Sequence, residues 1–153
     1  MRHLWLKGLY DLEVLKPQVD DSGYDLVFEM GSIVRHVQLK STKRGSSLSN
    51  VTVNLHLAKK PSGCVILIEF DPGSLKLGPF YWFGGAAGKK LPDVSSLRVA
   101  RHARGNAQGV KRQRPNIRQI PLSKLQRLDT INEVIENLFG SAASDSNSPS
   151  QSA

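Results

Sequence analysis

Residues 23–29, Gly-Tyr-Asp-Leu-Val-Phe-Glu, and residues 35–41, Arg-His-Val-Gln-Leu-Lys-Ser, constrain the fold more than any other part of the chain. In the first stretch Leu26 and Phe28 alternate with Val27 and Glu29; in the second Val37 and Leu39 alternate with His36, Gln38 and Lys40. A period of two is strand patterning, and Met30-Gly31-Ser32 between the arms supplies the glycine that a tight hairpin loop takes at positive φ. Side chains alternate faces along a strand, so Gln38 and Lys40 project from one side. Asp25 joins them under two loop lengths. A two-residue loop, Met30-Gly31, sets Asp25 opposite His36, and a four-residue loop, residues 30–33, sets it opposite Gln38; an odd loop without a bulge sends Asp25 to the other face.

A carboxylate, an amide oxygen and an ammonium gathered on one face suit metal-assisted phosphodiester chemistry. Asp25 and the Gln38 carbonyl are hard oxygen donors of the kind Mg²⁺ prefers, and that ion keeps several waters beside one or two carboxylates. Lys40 would stand by the attacking water or neutralise charge on the phosphate. A hairpin whose outer face is merely polar has the same spacing, because antiparallel sheets often leave one face to water.

The flanking residues add specificity. Pro17-Gln18-Val19-Asp20-Asp21-Ser22-Gly23-Tyr24-Asp25-Leu26-Val27, followed by Val37-Gln38-Leu39-Lys40-Ser41-Thr42, resembles the core of the PD-(D/E)XK nuclease superfamily. It is most similar to the Mrr-type, restriction-endonuclease-like branch, which has glutamine in place of the motif's second acid. The resemblance spans about residues 12–70, with its specific part in residues 17–42. It implies an α/β (α+β) fold, a mixed β-sheet core flanked by helices, and endonuclease (hydrolase) activity on DNA with Mg²⁺ or Mn²⁺. By position it makes Asp25, Gln38 and Lys40 the catalytic set, with Asp25, Gln38 and the Leu39 carbonyl as metal ligands and Lys40 assisting the nucleophilic water. Members of the superfamily commonly carry a further glutamate on a helix before the motif, and no acid precedes Asp11 here. Either the chain starts within that helix, or activity is reduced or lost.

The whole chain is consistent with a polyanionic partner. Its 153 residues carry a formal net charge of +8, which favours nucleic acid. Residues 1–140 read as one domain, and residues 141–153 as a serine-rich tail expected to be disordered. The longest apolar run, Cys64 to Ile68, has strand length, Lys7 and Gly8 interrupt the start too soon for a secretory segment, and a cytoplasmic protein without membrane contact is expected. Cys64, the single cysteine, reads as a packing residue.

The basic residues fall in two places. Lys43 and Arg44 open a glycine-serine loop just past Lys40. Between residues 98 and 118 lie Arg98, Arg101, Arg104, Lys111, Arg112 and Arg114, then Arg118, with no acid among them. Phosphate binding accounts for such a run better than a balanced solvated face, although it carries no sequence code. Within this stretch, residues 93–100 are expected as a helix capped at Asp93, residues 111–115 as an exposed loop, and residues 116–120 as a short edge strand.

Elsewhere, residues 2–9 suit the last turns of a helix, and residues 11–16 a strand. Asp20 and Asp21 suit a turn, with Asp21 an auxiliary metal ligand at most. Residues 51–57 alternate as a strand where the resemblance implies a helix. Cys64-Val65-Ile66-Leu67-Ile68-Glu69-Phe70 reads as a central strand and Phe80-Tyr81-Trp82-Phe83-Gly84-Gly85 as an aromatic one used for packing. Residues 84–90 lack Walker A spacing, because Leu91 follows Lys90. Ile131, Val134, Ile135, Leu138 and Phe139 form one helical stripe behind the capping residues Thr130 and Glu133; packing on the sheet is the main reading, a homodimer contact the alternative. Three functions remain: a Mg²⁺-dependent deoxyribonuclease, a nuclease-fold protein that binds nucleic acid without cutting it, and a basic RNA-binding protein whose D…Q-x-K spacing is coincidental.

Overall fold

The computed structural model describes residue 5 and residues 10–18, 23–105 and 107–140. The helix expected at residues 2–9 (apart from Trp5), Asp20, Asp21 and the serine-rich tail lie outside this set. The described chain runs β1 (Glu13–Leu15), β2 (Leu26–Met30), β3 (Ile33–Lys43), β4 (Asn50–Asn54), α1 (Leu55–Ala58), β5 (Gly63–Phe70), β6 (Leu77–Gly84), β7 (Val99–Arg101), β8 (Gln113–Pro121), a 3₁₀ turn (Leu122–Lys124), β9 (Gln126–Leu128) and α2 (Ile131–Phe139). This is the mixed α+β class expected from the sequence, with sheet dominant.

Six strands form one sheet in the order β1-β2-β3-β5-β6-β9, and three form a second in the order β4-β8-β7. In the larger sheet β3 and β5 are parallel and the other neighbours antiparallel. Parallel neighbours need a crossover, and here β4 and α1 provide it. Paired strands share faces, so Val37, Leu39, Cys64 and Ile66 line one side of the sheet, and Gln38, Lys40, Val65 and Leu67 the other.

The first side is covered by α2. Val134, Ile135, Leu138 and Phe139 are buried against Val37, Cys64, Ile66, Phe80 and Trp82. Each fully buried large apolar side chain contributes about 1.5–3 kcal/mol, so the stripe is used within the chain and is not left for a dimer. Thr130 Oγ1 accepts from Glu133 N while the Glu133 carboxylate accepts from Thr130 N, closing the capping box.

The second side is covered mainly by the smaller sheet and not by helices. Val51, Val53 and Ile120 pack with α1's Leu57 onto Val65, Leu67 and Phe83. Residues 51–57 hold both expected structures: the alternation of Val51 and Val53 makes β4, and Asn54 then caps the single turn of α1 by accepting from His56 N at 3.0 Å.

Three expectations are corrected. Residues 93–100 are not a helix: Asp93 spends its carboxylate on the Ser95 amide and hydroxyl, making a local turn, and Val99 and Ala100 continue into β7. Residues 116–120 do not form an edge strand, because β8 is the centre of the smaller sheet. Residues 113–115, expected in a loop, are its first residues. In each case pairing partners distant in sequence decide the conformation, overriding weak local preference.

Candidate functional site

The hairpin register decides where Asp25 lies. Met30 pairs with Ile33 across a two-residue turn, Gly31-Ser32, with Gly31 at φ +57°, the position where a II′ turn takes glycine. Leu26 consequently pairs with Val37 as the last rung of the ladder, and Asp25 lies just before it. This is the register of the longer loop, reached with a shorter turn. Asp25 N donates to Val37 O at 2.8 Å and its Oδ2 accepts from Leu39 N at 2.6 Å. The carboxylate thereby caps the edge of β3 just beyond the end of β2. A residue's N–H and C=O leave an extended strand from the same edge, so the Leu39 carbonyl shares the edge that Asp25 occupies.

Glycine at position 23 lets the chain reach this place. A Cβ on Gly23 would lie 2.8 Å from Asn54 Cβ, and its φ is +76°. A side chain here would push the Asp25 segment away from β4.

Asp25, Gln38 and Lys40 line one cleft of about 250 Å³, together with Thr52, Asn54 and Arg114. Gln38 Oε1 is buried and, among the described residues, has no hydrogen-bond partner. Leaving such an oxygen unpaired costs about 1–3 kcal/mol, and an added ligand in the cleft would relieve that cost. Among the described residues, Asp25 is the only acid lining the cleft. Among the described residues, neither Lys40 nor Arg114 takes part in an ion pair, and no three His, Cys, Asp or Glu side chains gather into a metal-binding group. A metal here would rest on one carboxylate, the Gln38 amide oxygen and the Leu39 carbonyl. Those are hard oxygen donors, which fit Mg²⁺ or Mn²⁺ and not a nitrogen- and sulfur-seeking ion. Asp21, the auxiliary candidate, is outside the described residues.

No protein-family model and no curated protein matches the chain. What the site can do therefore follows from its own geometry.

Next to the cleft, His36 shares the face of Gln38. Its ring meets the Tyr24 ring edge-on at 5.0 Å, Lys60 Nζ sits 5.0 Å from the Tyr24 ring centre, and His36 Nδ1 is buried without a partner among the described residues. Burial, and secondarily the Lys60 charge, hold the His36 pKa below the usual histidine value.

The basic residues separate into three groups. Arg44 is anchored in the fold: it pairs with Glu69 at 3.4 Å and Asp71 at 3.6 Å and donates to Gly78 O at 3.0 Å. Lys43 is exposed at the end of β3. Arg98, Arg101 and Lys111 line a second pocket, while Arg104 and Arg112 are exposed on the loop between β7 and β8. Arg114, grouped by sequence with the loop, stands instead in the cleft with Asp25. Arg118 is a brace, donating to Pro115 O at 2.6 Å and Ser95 O at 3.3 Å.

Sequence reasoning missed Thr52 and Asn54, although both occupy the polar phase of the Val51/Val53 alternation. It also missed Arg35. This side chain is fully buried and donates to Leu138 O at 2.8 Å, Asn137 O at 2.7 Å, Gly85 O at 3.0 Å and Ser62 Oγ at 3.2 Å, with its guanidinium 5.2 Å from the Trp82 ring centre. Its parity with Val37 and Leu39 was the available signal. Cys64 is buried beside it, and burial pushes the thiol up to about 12, which makes it inert at neutral pH.

Proposed function

We propose that the protein is a Mg²⁺- or Mn²⁺-dependent endonuclease that hydrolyses DNA phosphodiester bonds at the Asp25–Gln38–Lys40 cleft, within a PD-(D/E)XK-like core. The observation that carries this reading is the buried, unpartnered Gln38 Oε1 lining the same cleft as the Asp25 carboxylate and the Lys40 ammonium. Asp25, Gln38 and the Leu39 carbonyl would hold the cation. When bound, a divalent ion supplies Lewis-acid polarisation of the phosphodiester and an acidified water. Lys40 stabilises charge developing on the attacked phosphate or holds the nucleophilic water, and Arg114 binds a non-bridging phosphate oxygen from β8. A DNA substrate goes with a cytoplasmic location. Among the described residues no helix is long and apolar enough to cross a membrane.

A second reading has its own observation. Among the described residues Asp25 is the only carboxylate lining the cleft, and a nuclease core short of a second acid would bind DNA without cutting it.

Plasmid nicking separates the two. The parent should nick supercoiled DNA with Mg²⁺ or Mn²⁺ and not with chelator. Lys40→Ala and Asp25→Ala should each lower the rate by about 100-fold or more, the scale of losing one preorganised transition-state group, while DNA binding without metal persists. Cleavage that survives in chelator or in both variants points to another site or a contaminant. Tight binding by a parent that does not nick favours the second reading.

A further inference from the structure

The three cations Arg98, Arg101 and Lys111 are not scattered. With Asn50, His102 and Gln119 they line a pocket of about 280 Å³ that, among the described residues, no acidic side chain enters. Among the described residues, the ion pairs use Arg44 and Arg127, and none of these three cations. Arg118 and Arg44 show what committed arginines look like in this fold: each is bonded to backbone oxygens. The pocket instead presents two guanidinium groups, an ammonium, two side-chain amides and an imidazole around an open space. Forked and point-charge donors with no acceptor of their own are the chemistry that takes a phosphate group.

Its position relative to the cleft follows from strand register. Asn50, Thr52 and Asn54 project from one face of β4, and Gln119 and Ile117 from the same face of β8, since Thr52 pairs with Gln119 and Asn54 with Ile117. Thr52, Asn54 and Ile117 line the cleft; Asn50 and Gln119 line the basic pocket. The two sites therefore adjoin at the Thr52–Gln119 pair. Four residues of β4 separate Asn54 from Asn50, which is about 13 Å at ~3.3 Å per residue. A nucleotide spans more along its own strand than the ~3.4 Å it adds to a duplex axis, so that is about four nucleotides at most.

We propose that this pocket is a phosphate subsite holding the same DNA strand no more than about four nucleotides from the phosphodiester in the Asp25–Lys40 cleft. The proposal rests on the nuclease-fold reading for the role of the cleft, and on register and charge for the subsite itself. It predicts a length threshold, which a diffuse basic surface would not produce.

The test is anisotropy with labelled single-stranded DNA oligomers of graded length, in chelator, so that no turnover is needed. Parent affinity should step up by tenfold or more at one oligomer length, no greater than about four nucleotides beyond the shortest that fills the cleft. A triple variant, Arg98→Ala with Arg101→Ala and Lys111→Ala, should bind the shortest oligomers as the parent does and lack the step. Its salt slope with long oligomers should fall by about 0.7 for each phosphate that the pocket no longer neutralises. A control with Arg104→Ala and Arg112→Ala, exposed cations outside the pocket, should keep the step. A smooth rise with length in the parent, a step retained by the triple variant, or equal losses in both variants overturns the subsite. If the step depends on the pocket but the parent never nicks DNA, the subsite stands and the catalytic reading falls. If nicking depends on Asp25 and Lys40 but no step appears, the reverse holds.

Discussion

Two polar side chains three residues apart on β3 meet opposite fates on the two faces of the larger sheet. Arg35 points to the face covered by α2, where four oxygens accept its N–H groups and two of them are the otherwise open carbonyls Asn137 and Leu138 at the end of the helix. Gln38 points to the other face, where its amide oxygen is buried and unpaired beside Asp25 and Lys40. Both residues bury polar atoms from one strand, yet one is satisfied within the chain and the other has no partner among the described residues. Last-turn helix carbonyls lack intrahelical partners and carry partial negative charge, so a buried cation is a natural cap for them. No such internal reason exists for an orphaned amide oxygen in a polar cleft. Satisfied burial marks a structural tie, and unsatisfied burial next to ionisable groups is what the proposed ligand site rests on.

The contrast breaks most sharply at Arg35. Replacing it with methionine keeps the stem's packing but leaves the carbonyls of Gly85, Asn137 and Leu138 without their donor. The expected loss is about 3 kcal/mol or more, since removing one partner from a buried charged arrangement exposes the full desolvation cost of the rest. For a chain of this size that lowers the thermal midpoint by roughly 10 °C. Arg35→Lys should fall between, because one ammonium cannot span the fork. Urea midpoints give the comparison, and an Arg35→Met protein within about 1 kcal/mol of the parent would remove the structural tie.

Gln38→Leu tests the opposite side with a smaller and opposite effect. Stability in chelator should be unchanged or raised by up to about 1 kcal/mol, since an unpaired buried oxygen is replaced by carbon. The stabilisation that the parent gains from added Mg²⁺ or Mn²⁺, a mass-action consequence of binding to the folded state, should shrink. A Gln38→Leu variant that loses stability in chelator would show that the amide is already satisfied.

The same contrast explains how much could be read from the chain. Asp25, Gln38 and Lys40 were legible because strand alternation is local and the Gly31 turn admits few registers. The α2 stripe and its capping box were legible for the same reason. Arg35 was not, because its partners lie about 50 and 100 residues away in Gly85, Asn137 and Leu138. Arg114 was assigned to the basic run, but it belongs to β8, where it pairs with Ala100 of β7, and it lines the cleft. The helix expected at residues 93–100 failed on the same ground. Asp93 is as good a turn former as a helix cap, and only the long-range pairing of Val99 and Ala100 with β8 chooses between them.

The smallest expected effect concerns His36, which lies at the boundary between the packed and the open parts of the cleft face. Its pKa is held below 6.5, first by burial and then by the Lys60 charge. A depressed histidine binds fewer protons in the folded than in the unfolded chain across the interval between its folded pKa and 6.5. Stability therefore rises with pH through that interval, is fully present above it, and is lost as pH falls through it. His36→Phe preserves an aromatic contact with Tyr24 and removes the titration, so the urea midpoint of this variant should depend less on pH below 6.5 than the parent's does. Lys60→Gln should have a weaker effect in the same direction, because it removes only the secondary cause. If His36→Phe retains the full parental slope, the acid sensitivity belongs to other groups, and His36 is solvated enough to charge freely in the folded protein.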